Sequence, residues 1–98
     1  MQRKLTVIMR EVDRAREWAA RAMLLDPKNY NLMYNLGCSM IRLGEIDEAL
    51  KLLEPVFEAA QTQSLNWWKV DSDLDPIRGG SRFKAMFEQA EARLATPQ

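Results

Sequence analysis

The chain has 98 residues, enough for one small domain with a modest core. Lys plus Arg equals Asp plus Glu at 14 each, so the net charge is zero and no basic stripe exists to hold nucleic acid or an anionic membrane surface. One cysteine and no histidine exclude an internal disulfide, a Cys/His zinc site and any histidine-assisted nucleophile, and the four glycines form no phosphate-binding loop.

Apolar residues at 47% and charged residues at 29% are those of a soluble globular chain. The most apolar run, "WAARAMLL", is short and carries Arg21, so no transmembrane span is expected. "MQRKLTVIMREVDR" returns to charge too soon for a signal peptide. A reducing compartment, most simply the cytoplasm, suits the single thiol. The inventory supplies no catalytic set, and no cofactor or metal is expected.

In chain order, a helix runs to Leu25, and residues 1–12 read as a truncated or degenerate first helix, either separate from it or continuous with it. "DPKN" then breaks it, because Pro27 disfavours a helical Asp26. "NLMYNLGCSMIRLG" predicts a helix over 30–43, with Leu32, Leu36, Met40 and Leu43 on one stripe and Gly44 ending it in a left-handed conformation. "EIDEALKLLEPVFEAA" predicts a helix over 46–60, its apolar Ile46, Ala49, Leu50, Leu53 and Phe57 spaced by three and four. Pro55 removes a backbone bond to Lys51 and predicts a kink. Gly37, costly inside a helix by about 1 kcal/mol, is read as a point of close helix approach against Ala49. Cys38 has no neighbour to lower its pKa and is read as packing. "SLNWWKV" predicts a short helix over 64–71, with Trp67 in the core and Trp68 partly exposed.

"DSDLDPIRGGSRF" follows, and its Asp71, Asp73 and Asp75 suggest the start of a calcium loop. Such a loop needs glycine at its sixth position and glutamate at its twelfth. Here those positions hold Pro76 and Arg82, so the metal reading fails. The stretch reads instead as a stop: Asp73 and Asp75 capping or bridging locally, a turn at Pro76, then Ser81 as N-cap of a helix over 82–95 with Phe83, Met86, Phe87, Ala90 and Leu94 on one face.

A shift of 34 residues brings the chain into register with itself. Asp13 falls on Asp47, Ala15 on Ala49, Trp18 on Leu52, Ala19 on Leu53 and Ala22 on Val56; Met33 falls on Trp67, Tyr34 on Trp68, Leu36 on Val70 and Met40 on Leu74. Retention of size class at a fixed period marks a packing unit used more than once. Residues 30–63 resemble a tetratricopeptide repeat through Leu36–Gly37, Gly44, Asp47 and Ala49, and Ala15, Ala22, Asp26 and Pro27 fit the second half of a preceding unit. Met33 stands where the family often has Trp, and Gln61 where it usually has Pro.

That resemblance implies an all-α, right-handed superhelix of helix hairpins. One domain is then divided into a partial first repeat over 1–29, a complete repeat over 30–63, a truncated third repeat and turn over 64–80, and a capping helix and tail over 81–98. It also implies a non-catalytic module for protein–protein interaction, binding a protein or peptide segment in a concave groove lined by Asn31, Tyr34, Asn35, Cys38, Arg42, Trp68 and Lys69. Asn35 stands where some family members hold a peptide's terminal carboxylate, Lys69 offers a cation for such a clamp, and Leu65 occupies another of its positions. "WWKVDSDLDPIRGGSRFKAM" is similar to the ending of repeat arrays attached to bacterial adenylate or guanylate cyclases, protein kinases and similar signalling proteins, although Ser81 replaces a usual proline. It implies the C-terminal part of a bacterial signalling protein, with regulation in cis of an attached enzyme as the alternative. Self-association through an apolar flank at Leu5, Ile8, Met9 and Val12 is a further expectation.

Overall fold

The computed structural model describes residues 2–95, with residues 2–8 described by their backbone alone. The elements are α1 (Gln2–Leu25), α2 (Tyr30–Arg42), α3 (Ile46–Glu58), α4 (Thr62–Trp68), a 3-10 turn (Ser72–Ile77) and α5 (Ser81–Ala95), with no strand among the described residues. Residues 2–12 are thus continuous with the helix that ends at Leu25.

Local chemistry sets most of the boundaries. Asn29 caps α2 by accepting from the Leu32 backbone N–H at 3.2 Å. At the other end Gly44 takes φ +80°, and the N–H groups of Gly44 and Glu45 donate to Ile41 and Met40. This paired arrangement satisfies carbonyls that the helix end would otherwise leave open, and it needs a residue without a Cβ. α3 runs through Pro55 to Glu58. α5 opens at Ser81 itself, and the Gly80 carbonyl accepts from Lys84, so Ser81 lies inside the first turn and is not the cap expected of it.

α2 and α3 form the central hairpin. A Cβ built on Gly37 would stand 2.9 Å from Leu53 Cδ2 and 3.6 Å from the Ala49 carbonyl oxygen. Both residues are fully buried, so the glycine is the gap that lets α3 approach. α1 packs on α2, sets Ala19 in the main core, buries Val12, and reaches the start of α3 through an ion pair between Arg16 and Glu45 at 2.7 Å. Val12 therefore belongs to the core rather than to an open flank; Met9 is 65% exposed, and the side chains of Leu5 and Ile8 lie outside the described residues.

Beyond α3 the core is aromatic. Phe57 sits among Trp68 (ring centroids 4.7 Å apart), Phe83 (5.6 Å) and Phe87 (6.0 Å). Two arginines tie this end together. Arg78 donates to the Trp68 and Asp71 carbonyls and pairs with Asp75 at 2.8 Å, and Arg93 donates to the Phe57 and Ala60 carbonyls. Arg78 thereby gives the Trp68 carbonyl a donor where α4 ends, and Arg93 the Ala60 carbonyl one just beyond α3, while the Asp71 and Phe57 carbonyls also accept from the Leu74 and Ala60 N–H groups.

Candidate functional site: a groove between α2 and α4

An open groove of about 600 Å³ lies between the first turns of α2 and the short helix α4. Tyr30, Asn31, Tyr34 and Asn35 form one wall, Val56, Ala59 and Ala60 at the end of α3 form the floor, and Gln61, Gln63, Ser64, Trp67 and Trp68 form the other wall. The spacing of the α2 residues places them on one helix face. Among the described residues no charged side chain lines the groove; its polar groups are amides and hydroxyls, able both to donate and to accept.

Tyr34 is the groove's fixed point. Its ring stacks on Trp68 with centroids 5.2 Å apart and planes 14° from parallel, and its hydroxyl donates to Asp71 Oδ2. Burial, followed by that bond to a carboxylate, raises the Tyr34 pKa well above the ordinary tyrosine range. The hydroxyl is thus held as a donor, and Asp71 ties the 3-10 turn to α2.

Of the seven residues expected to line the groove, Asn31, Tyr34, Asn35 and Trp68 do so. Cys38 is 3% exposed and lies beneath the surface; burial, followed by the negative charges of Asp73 and Asp71, raises its pKa and keeps the thiol protonated. Arg42 is turned to Ser39 and, at 3.9 Å, to Asp73. Lys69 faces α5, 3.7 Å from Glu91, and Leu65 is buried, so the carboxylate clamp is not assembled beside Asn35.

The tryptophan pair is reversed from the sequence expectation. Trp68 is 8% exposed between Tyr34 and Phe57, whereas Trp67 is 67% exposed at the groove's edge. The 34-residue register equates Trp67 with Met33, which is buried. α4, however, buries Leu65 and Trp68, three residues apart, and Trp67 falls off that face. Sequence reasoning also missed Tyr30, Gln61, Gln63 and Ser64; the one signal present was that polar "QTQS" follows the α3 core stripe without a proline.

The three aspartates each have a task within the fold. Asp71, not Asp73, caps the 3-10 turn by accepting from the Asp73 N–H at 3.0 Å. Asp75 pairs locally with Arg78, and Asp73 bridges outward to Arg42. Ligand atoms of Cys38, Asp71 and Asp73 do lie within 4.8 Å of one another. One of the three groups, however, is a protonated, buried thiol, and another already accepts from Tyr34, a poor donor set for a cation.

A sequence model of the tetratricopeptide repeat matches residues 9–71, nearly two-thirds of the chain. The chain belongs to the tetratricopeptide repeat family. The match spans α1 from Met9 onward, the α2–α3 hairpin and α4, and the all-α hairpin architecture agrees with it. No curated protein and no solved structure matches the chain. Tetratricopeptide repeats bind protein partners, and this family assignment makes the chain a protein-interaction module. Among the described residues no helix is long and apolar enough to cross a membrane.

Proposed function

We propose that the groove between α2 and α4 receives an extended, uncharged peptide segment. The observation that carries this reading is a lining of amides and exposed aromatic surface without a single charge. Asn31, Asn35, Gln61 and Gln63 can exchange hydrogen bonds with a peptide main chain, which offers one donor and one acceptor per residue. Trp67 at the rim offers a flat apolar face for a side chain of the ligand. Tyr34, clamped by Trp68 and Asp71, gives the wall a fixed shape, which lowers the ordering cost of binding. Cys38, Arg42 and Lys69, offered by the family resemblance, have no part in it. On this reading the module works without catalysis, as befits a chain with no histidine.

The similarity of "DSDLDPIRGGSRF" to endings of bacterial signalling arrays supports a setting for this module: the C-terminal part of a cytoplasmic signalling protein, where the groove's occupant is a segment of an attached cyclase or kinase. In the repeat division, residues 1–29 then supply a partial or degenerate unit, 30–63 a whole one, 64–80 a truncated one with its turn and 81–98 the capping helix and tail.

The test is affinity capture from a bacterial lysate with the wild-type chain and with an Asn31→Ala, Asn35→Ala, Trp67→Ala variant, all three residues being exposed. The captured set is expected to lose members with the variant. Identical sets would refute the groove, and binding of an appended cyclase or kinase domain separates action in cis from a free partner.

A further inference from the structure

α1 carries a second stripe beside the one it buries. Glu11, Arg14, Trp18, Arg21 and Leu25 follow one another at spacings of three, four, three and four, so they line one seam, and all five are exposed. Trp18 is 57% and Leu25 76% exposed, and the Arg21 guanidinium lies 5.8 Å from the Trp18 ring. Among the described residues neither Glu11 nor Arg14 makes an ion pair.

The fold itself shows what such a stripe is for. One period later Leu25 falls on Ala59, on the floor of the α2–α4 groove, and the other four positions are Glu45, Glu48, Leu52 and Pro55. These are the residues that α3 turns toward α1: Glu45 pairs with Arg16, and Glu48, Leu52 and Pro55 line a crevice with Ala19, Ala20 and Met23. Leu52 is only 2% exposed there, whereas Trp18, its counterpart in α1, is open. The stripe is a packing face in one repeat and uncovered in the other.

We infer that this face pairs with the same face of a second copy of the chain, the two α1 helices lying antiparallel about a two-fold axis near Arg16. The charges select both partner and direction. In that register Glu11 of each copy stands beside Arg21 of the other, and Arg14 stands beside the Trp18 ring, so an ion pair and a cation–π contact each form twice. A parallel pairing would set Glu11 on Glu11, Arg14 on Arg14 and Arg21 on Arg21, which like-charge repulsion disfavours. The spacing of three and four is that of a two-helix seam, and a two-fold contact uses one patch on both partners. A single helix pair is a small interface, so the dimer is weak and depends on concentration and salt. None of these residues lines the groove between α2 and α4, so the pairing stands or falls independently of that site.

The experiment is sedimentation of the intact chain over a wide concentration range at low and high salt, with circular dichroism to verify folding. The wild type is expected to pass from monomer to dimer as concentration rises, and salt is expected to weaken it. Trp18→Glu abolishes dimerisation, and Glu11→Arg or Arg21→Glu each weakens it by about tenfold or more, since each change breaks two contacts. The double variant Glu11→Arg, Arg21→Glu exchanges the signs and restores the dimer. A monomer at every concentration overturns the pairing, and so does a dimer indifferent to the single reversals or one that the double variant fails to recover.

Discussion

The α2–α3 hairpin and the segment from α4 to α5 occupy successive places in the stack, and different forces hold them. The hairpin relies on close approach: Gly37 admits Leu53, Ala49 is fully buried, and each helix is 13 residues long. α4 has seven residues, too few to be helical alone, and Asp71 stands where the hairpin has Gly37. There the structure substitutes aromatic bulk around Phe57 and arginine-to-carbonyl bonds from Arg78 and Arg93. A repeat can thus be truncated if side chains take over what the missing backbone bonds supplied.

Phe57 belongs to both regions, since it lies in α3 and its ring contacts α4 and α5. Phe57→Ala is therefore the change with the largest expected effect, about 3–5 kcal/mol in urea unfolding. A loss under about 1 kcal/mol would show that the aromatic cluster is not what joins them. Arg78→Met acts on the second region alone. It leaves the Trp68 carbonyl without its donor, while the Asp71 carbonyl keeps the Leu74 N–H, and is expected to cost about 1–3 kcal/mol. Amide exchange should quicken over residues 62–77 while the α2–α3 hairpin keeps its protection.

Tyr34→Phe removes the bond between the two regions. At neutral pH the loss should be about 1 kcal/mol, because Asp71 is part exposed and water can replace the hydroxyl. Its pH dependence carries a definite sign. The folded chain holds the Tyr34 pKa above its ordinary value of 10.0, so the neutral phenol is favoured on folding. That contribution is fully present below pH 10 and lost as pH rises beyond it. The stability gap between wild type and Tyr34→Phe should accordingly shrink above pH 10, and a constant gap would contradict the assigned bond. Gly37→Ala tests the hairpin by itself. The gain in helix propensity of about 1 kcal/mol is opposed by an overpacking cost of about 1–3 kcal/mol. A net loss near 1 kcal/mol is expected, since the new methyl would lie 2.9 Å from Leu53 Cδ2.

The hairpin was legible in the sequence because its rules are local and periodic. Asp26–Pro27 and Gly44 punctuate, the three-and-four spacing sets the buried faces, and Gly37 marks the close contact. The groove was legible on α2, as Asn31, Tyr34 and Asn35, and on its other wall only as Trp68. Its other wall depends on how α4 is rotated, and that rotation is set by Phe57 and Tyr34 gripping Trp68 from either side, contacts 11 and 34 residues away. The same distance hid Asp71, whose partner is 37 residues upstream. Arg42 and Lys69 were misplaced for a related reason: the family register gives a side chain's position but not the acidic groups, here Asp73 and Glu91, that draw it elsewhere.

Trp67 gives the smallest stability effect and the sharpest division between the two tryptophans. Its neighbour Trp68 is buried under two rings, so Trp68→Ala should cost about 3–5 kcal/mol. Trp67 buries little, and Trp67→Ala should change the unfolding free energy from urea titration by less than about 0.5 kcal/mol. Function should reverse that order, because in the folded chain the exposed ring is the one a bound segment can reach. Fluorescence separates the two in a Trp18→Phe background, which removes the other exposed tryptophan: quenching by acrylamide should fall chiefly on Trp67 and vanish largely when Trp67→Ala is added. Protection of that emission by a captured peptide would place the ligand at the rim. Emission that stays fully quenchable in a complex would place it elsewhere, and the groove would then owe its aromatic wall to packing alone.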